Sequence, residues 1–461
     1  EGGGTLIVGR GGGRQDLPRA DFVQQRPGRN IATGPLRTPR LSRDQLLLTP
    51  IGGGRLTITN VGKLPALING QELRGAAEIG PGDLIELAGE ALLMVRPRPL
   101  VLPLGGHRPG TFQPFGEADS DGLVGEGPAA WELRGRIAFV AGRGAHVLVV
   151  GESGTGKELV AQAIHRRSER GGKELIARNA ATIPETLVDA ELFGHARNFP
   201  NPGMPERPGL IGEADGSSLF LDEFAELPLA LQAHLLRVMD QGEYQRLGES
   251  RARRSSFRLI AATNRPESAL KHDVLARLQI RVELPGLNER REDVPLIARQ
   301  LLRRIAARDP ELARRFFPGG DPRGIPRLTL RLIAALTALD YATHVRELEA
   351  HLWTAMTRAR GEHLDLWEGF PPPARGDDDD DDADDDDDAD AESERDDASD
   401  DDFAGDRVDP NTIPPEVIQA CLDRHEGRQE PVWRELGLTS RHVLTRLVRK
   451  HGLNVRGRGG R

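Results

Sequence analysis

The sequence predicts a multidomain protein: an all-β sandwich, then an α/β phosphate-loop core with an all-α lid, then an all-α helix-turn-helix. Three observations predict it. Short apolar runs broken by Gly and Pro fill residues 4 to 97; strands and helices alternate from Leu123; and helical stretches near the end break at Gly437. The 461 residues exceed one ordinary core and suit about three domains of roughly 150 residues.

In residues 1–98 the runs Thr5 to Val8, Gln45 to Thr49, Arg55 to Thr59, Leu84 to Leu87 and Ala91 to Val95 read as sandwich strands. Residues 99–122, rich in Pro and Gly and without periodicity, read as a linker. Residues 123–310 form the α/β core. In it, His146 to Val150 runs into a helix from Lys157, Leu219 to Leu221 into Leu229 to Gln241, and Arg258 to Ala262 follows. Such alternation means a parallel sheet covered by helices. Residues 311–368, with Leu328 to Arg358 all helical, read as a lid; 369–410 as an acidic disordered linker; and 411–461 as the helix-turn-helix with a basic tail.

Hydrophobic content of 38% with 29% charged residues suits a soluble protein, and no run reaches the roughly 18 apolar residues of a membrane span. The N-terminus has no basic stretch leading into an apolar run, and a single cysteine, Cys421, fits a reducing cytoplasm. Charge is segregated: Asp377 to Asp402 holds 19 acidic residues and one Arg, a local −18 against a whole-chain −9, which leaves +9 elsewhere. From Arg441 onward there are seven Arg or Lys and no Asp or Glu, the footprint expected of a chain that meets phosphate backbone.

Gly151-Glu152-Ser153-Gly154-Thr155-Gly156-Lys157, opening a helix after an apolar strand, has the chemistry of a phosphate loop. Its glycines let backbone N–H groups face phosphate oxygens, the helix N-terminus adds its dipole, and Lys157 reaches the β and γ phosphates of ATP. Glu158 stands where a Ser or Thr would supply a hydroxyl to Mg²⁺. The strand Leu219-Phe220-Leu221 ends in Asp222, suited to hold that metal, and Glu223, suited to polarise attacking water. The two motifs lie about 65 residues apart, a spacing that suits neighbouring strands.

These residues resemble the AAA+ activators of sigma-54 RNA polymerase, from Leu123-Val124-Gly125 to the end of the lid, with a Fis-type helix-turn-helix behind. Supporting runs are Gly151 to Glu158, where that family also carries Glu; Glu191-Leu192-Phe193-Gly194-His195; Leu219 to Leu236; Ala262-Thr263-Asn264; and Leu287 to Leu296. The resemblance implies that Asn264 senses the γ-phosphate, Asn179 restrains Glu223, and Arg346 is the lid arginine near ATP. Three departures stand out. The family's sigma-54-contacting tip, Gly-Ala-Phe-Thr-Gly-Ala, is replaced by Asn198-Phe199-Pro200-Asn201-Pro202-Gly203, whose prolines fix φ and remove donors. Remodelling of sigma-54 polymerase is therefore expected to be absent or very weak. The two arginines that reach a neighbouring subunit's nucleotide are here Lys271 and Arg277, and lysine lacks the planar fork. His344 stands where the lid motif carries Asn.

The sandwich resembles a forkhead-associated domain by Gly9-Arg10, Leu41-Ser42-Arg43 and Asn69-Gly70. That resemblance implies a phosphothreonine partner bound by Arg10, Ser42, Arg43 and Asn69. Gln45 replaces the usual His, and Leu64 an Asn that grips peptide backbone. A sandwich kept for intramolecular docking or oligomerisation is the other reading. In the terminal unit Val443, Leu444, Leu447 and Val448 share one helix face, leaving Arg441, His442, Thr445, Arg446 and Arg449 outward to suit a DNA groove. The expected protein is a DNA-binding transcription regulator and weak ATPase, using ATP and Mg²⁺ and forming a ring-like homo-oligomer, with no membrane partner. The alternative is a sigma-54-independent phosphopeptide adaptor that uses ATP as an oligomerisation switch.

Overall fold

A computed structural model describes residues 4–104, 112–372 and 414–425, together with Val432, Glu435, Leu436, Leu444, Leu447 and Val448. The chain divides into two compact units, Glu1–Asp379 and Asp380–Arg461.

The first unit opens with ten short strands: β1 (Leu6–Val8), β2 (Phe22–Arg26), β3 (Arg29–Gly34), β4 (Leu46–Gly52), β5 (Arg55–Asn60), β6 (Ala66–Ile68), β7 (Gln71–Glu72), β8 (Ala76–Ile79), β9 (Leu84–Leu87) and β10 (Ala91–Met94). Eight of them make two four-stranded sheets, ordered β1-β4-β5-β8 and β10-β9-β6-β7, and β2 and β3 pair as a separate hairpin. Val8, Leu46, Ile58 and Ile79 of the first meet Ala66, Ile85 and Leu87 of the second in one core. Ile85 and Leu87, two apart on β9, both point inward, as the period of two requires. Gly52, Gly53 and Gly54 all take positive φ, a sharp turn that residues with a Cβ would resist, and so close the β4–β5 hairpin. The hairpin β2–β3 has no counterpart among the expected strands because its residues are mostly exposed and polar. Its turn signal, Pro27-Gly28 with Gly28 at φ 75°, is in the sequence.

Next come α1 (Pro128–Ala141), β11 (Val147–Val150), α2 (Lys157–Arg166), β12 (Ile176–Asn179), α3 (Val188–Phe193), α4 (Gly209–Glu213), β13 (Ser218–Asp222), α5 (Leu229–Gln241), the small pair β14 (Glu243–Tyr244) and β15 (Arg253–Arg254), β16 (Arg258–Thr263), α6 (His272–Arg277) and β17 (Ile280–Glu283). Five strands form a parallel sheet in the order β12-β13-β16-β11-β17. Strand residues alternate between two apolar layers. Val147, Val149, Phe220, Ile260 and Ala262 face Leu133, Ile137, Val160 and Ile164 of α1 and α2. Leu148, Leu219, Leu221, Leu259 and Ala261 face Val188, Leu192, Leu231 and Leu235 on the other side. Burial on both faces explains why β13 and β16 read as continuous apolar runs. Polar residues stand at their ends, among them Arg258, whose guanidinium donates to the carbonyls of Ala145 and Val140.

The helical layer has α7 (Val294–Ala306), α8 (Pro310–Phe316), α9 (Leu330–Ala338) and α10 (His344–Arg358) around one core. Ile297, Ala298, Leu301, Leu302 and Ile305 of α7 recur on one helix face and pack there with Leu332, Leu348 and Leu352. This layer therefore starts with α7, ahead of residue 311. Side-chain caps mark two helix starts: Asp309 accepts from Glu311 and Leu312 N–H, and Thr329 from Leu332 N–H.

The described parts of residues 99–122 contain no helix, yet they are tied down by charge. Glu117 pairs with Arg299 and Arg303 of α7, Asp119 with Arg134 of α1 at 2.9 Å, and Asp121 with Arg166 and Arg167 at the end of α2. The sandwich joins the same belt through Arg26, 3% exposed. Its guanidinium lies 3.1 Å from Glu126 and within 5.2 Å of the Phe115 and Trp131 rings. In its described residues the segment matches its lack of periodicity with a lack of helix, while the anchoring resides in single acidic residues spaced along it.

In the second unit, α11 (Pro415–Arg424) buries Ile418, Cys421 and Leu422 against Val432, Leu444, Leu447 and Val448. Leu444, Leu447 and Val448 thus lie inward as their spacing predicts. The acidic run, Val443 and the expected DNA-facing residues Arg441, His442, Thr445, Arg446 and Arg449 lie outside the described residues. No described helix is long and apolar enough to cross a membrane.

Candidate functional site

Strand β11 delivers the chain to the edge of the sheet, where Gly151 N–H donates to the Thr263 carbonyl at the end of β16. Gly154 (φ 81°) and Gly156 (φ 104°) take left-handed backbone that only glycine adopts freely, so the loop curls before α2 begins. Lys157 is 6% exposed, and its ammonium donates to the carbonyls of Gly151 (3.0 Å) and Glu152 (3.2 Å). Among the described residues no carboxylate pairs with it. A buried cation held only by carbonyls at the start of a helix has the chemistry to attract an anion. The Thr155 hydroxyl donates to the Glu152 carbonyl at 2.8 Å. Glu158 lies exposed along α2 and accepts from Gln162, so it extends away from the loop.

Parallel pairing brings the other expected residues to the same edge. Asn179 stands opposite Asp222 in register, Val150 opposite Thr263, and Asn264 follows directly. Asp222 accepts from the Glu223 N–H at 2.9 Å, and Glu223 takes φ 49°. That strained turn swings the second carboxylate off the strand axis. The two motifs are not on neighbouring strands: β16 lies between β11 and β13. The spacing suggested adjacency, but a strand later in sequence inserts between them and interposes Asn264. The Asn179 carboxamide accepts from Ala181 N–H, and no hydrogen bond to Glu223 is present among the described residues.

The N-terminus of α10 covers the loop. The Arg346 guanidinium donates to the Ser153 hydroxyl (3.1 Å), Val345 N–H to the Gly154 carbonyl (3.1 Å), and His344 bonds the Glu152 carboxylate (2.9 Å). A Cβ on Gly154 would lie 2.1 Å from the Thr343 carbonyl oxygen. Gly154→Ala is therefore expected to lift the lid and cost about 1–3 kcal/mol at that contact, read as faster amide exchange at Val345. Arg277 is paired with Asp240, and Lys271, just before α6, donates its N–H to the Gln232 side chain.

The loop at Asn198 closes on itself. Asn198 N–H donates to the Met204 carbonyl and Gly203 N–H to the Asn198 side chain, both at 2.9 Å. The Phe199 ring rests on Gly248, where a Cβ would approach it to 2.5 Å. In the sandwich, Arg10 N–H donates to the Ser42 carbonyl, and both Arg10 and Arg43 are exposed. Asn69 does not join them: its amide donates to Asp83 and its oxygen accepts from Leu84 N–H, so it braces the turn before β9. Gln45, fully buried, ties Asn60 and the Leu64 carbonyl to Ser42 N–H, which is why a glutamine serves in that place.

Residues 123–284 match the family described as the Sigma-54 interaction domain. The transcriptional regulatory protein ZraR of Salmonella typhimurium is 32% identical over 347 residues, covering 74% of this chain and 71% of its own. The chain belongs to the sigma-54 interaction domain family. The formate hydrogenlyase transcriptional activator FhlA of Escherichia coli is 37% identical over 259 residues, 55% of this chain and 35% of its own. A solved structure of NtrX from Brucella abortus in complex with ADP aligns at 25% identity over 73% of this chain and 70% of its own, with a TM-score of 0.47.

Within the matched span of this family member lie the phosphate loop, Asp222, Glu223, Asn264 and the altered loop at Asn198. The sequence marks Glu152 as a position of the phosphate loop and His344 as a departure from the family's lid motif, but not their contact. Their pairing joins segments 192 residues apart, and neither carries a local signal for it.

Proposed function

We propose that this chain is an ATP-dependent regulator of transcription on the sigma-54 activator scaffold. It works as a ring-like homo-oligomer, binds a promoter or enhancer-like DNA through its C-terminal helices, and reads a phosphothreonine partner through Arg10, Ser42 and Arg43. The observation that carries the nucleotide part is the convergence of Lys157, Asp222, Asn264 and Arg346 at the carboxyl edge of one parallel sheet, beneath a helical lid. The regulatory part rests on family membership and on relatives whose names describe transcription regulators.

In this reading the loop N–H groups and Lys157 bind and orient the β and γ phosphates of ATP, with Arg346 closing from the lid. Asp222 would hold Mg²⁺, which neutralises phosphate charge when bound. Glu223, turned off the strand by its backbone, orients the attacking water and takes its proton. Asn264, one strand from the loop, senses the γ-phosphate. Arg277, with Lys271, reaches the nucleotide of a neighbouring protomer, for which it must leave Asp240.

The self-closed Asn198 loop and the Asp240-held Arg277 favour a second reading, in which ATP switches oligomerisation with little hydrolysis and sigma-54 is not engaged. Steady-state turnover across protein concentration separates the two. Turnover that rises with concentration supports the first; tight ATP binding without turnover supports the second. Open-complex formation with sigma-54 polymerase is expected at or near background, with ATP no better than a non-hydrolysable analogue, and robust ATP-dependent opening would show that the Asn198 loop retains the family's output.

A further inference from the structure

The contact between lid and phosphate loop holds one group the proposed chemistry does not use. His344 is 2% exposed and is the first residue of α10. Its backbone sits at φ 48°, a left-handed conformation that is costly for a residue with a Cβ and persists only where surrounding contacts enforce it. Those contacts are specific. Leu287 N–H donates to the ring's Nδ1 at 3.2 Å, which leaves the neutral ring's proton on Nε2. Nε2 lies 2.9 Å from the Glu152 carboxylate, so the ring donates there. Gly286 makes room for it: a Cβ at that position would lie 2.5 Å from the ring. Glu152 precedes Ser153 and Gly154, which Arg346 and Val345 hold, and its own carbonyl accepts from Lys157 and Thr155.

We infer that His344 is a positioning residue that couples the lid to the phosphate loop by holding Glu152, so that the lid's seat and the placement of Lys157 change together. Three successive lid residues thereby hold three successive loop residues, and His344 alone also reaches back, through Leu287, to the segment leading into the lid. The inference deepens the nucleotide reading of Gly151 to Glu158 and rests on it. Glutamine can reproduce both ring functions, an acceptor for Leu287 and a donor for Glu152, whereas alanine can reproduce neither.

The test is a double-mutant cycle on His344→Ala and Glu152→Ala in the full chain. It is read as the Kd of a fluorescent ADP analogue and, without nucleotide, as amide exchange at residues 343–346. Each single variant is expected to weaken nucleotide binding about 5- to 10-fold, the double variant no more than the worse single, and His344→Gln to restore wild-type behaviour. Exchange at Val345 rises in both single variants and returns in His344→Gln. The inference is overturned if Glu152→Ala changes neither readout while His344→Ala changes both, since His344 would then act by packing alone, or if the two effects simply multiply. A wild-type chain that binds no nucleotide would overturn the nucleotide reading instead. The exchange cycle, which needs no nucleotide, would still decide the coupling.

Discussion

Glu223→Gln is expected to lower ATP turnover about 10²- to 10⁴-fold while leaving nucleotide affinity nearly unchanged. The split follows from where the residue sits. Glu223 is one residue past the end of β13, and its φ of 49° turns it away from Asp222, one carboxylate oxygen of which accepts from the Glu223 N–H. Asp222 thus stays aligned with the strand edge and Glu223 does not, which under the proposed mechanism would let the first hold the metal and the second orient the water. Glutamine keeps size and hydrogen bonding but cannot accept a proton, so binding survives and chemistry does not. Lys157→Ala is the contrasting control, because it removes the buried ammonium itself and so should lower affinity as well. The readouts are equilibrium binding and steady-state phosphate release on the same preparations. Turnover within about tenfold of wild type in Glu223→Gln would remove this residue from the chemistry.

Sheet order explains what could be read in advance and what could not. Lys157, Asp222 and Asn264 each end or follow a strand buried on both faces, and such strands are legible as apolar runs because both alternating sets of side chains need cover. Their order in the sheet is not legible locally. Insertion of β16 between β11 and β13 is a long-range pairing, and the spacing of two motifs does not encode it. The same limit applies to side chains with two possible uses. Asn69 has the composition of a ligand-gripping residue, yet Asp83 and Leu84 consume both ends of its amide. Gln45 departs from the histidine that the resemblance implies, yet its three hydrogen bonds tie Ser42, Asn60 and Leu64 together. The hairpin β2–β3 is not legible in the sequence because exposed polar strands carry little hydrophobic period, although one of them supplies Arg26.

Arg26→Met is expected to destabilise the first unit by about 3–5 kcal/mol, more than Glu126→Gln or the double variant. Arg26 and Glu126 are side chains 4% and 6% exposed and 3.1 Å apart, joining the sandwich to the start of the α/β core. Glu126 accepts from Gly116 N–H (2.7 Å) and Trp131 Nε1–H (3.2 Å), so it stays buried when Arg26 is lost. Burial raises the Glu126 carboxyl above its ordinary range even with Arg26 beside it, and burial lowers Arg26. Desolvation therefore weighs heavily on the pair, and removing one charge leaves the other uncompensated. The pH dependence has a definite sign. A carboxyl whose folded value lies above its unfolded value favours the folded state at low pH and loses that advantage as pH rises through the folded value. Loss of Arg26 raises the folded value further, so the penalty of Arg26→Met should be larger at pH 8 than at pH 5, and Glu126→Gln in the same chain should remove the difference. Urea unfolding at both pH values measures this. A pH-independent loss below about 1 kcal/mol would mean that the Arg26–Glu126 pair does little to hold the sandwich to the core.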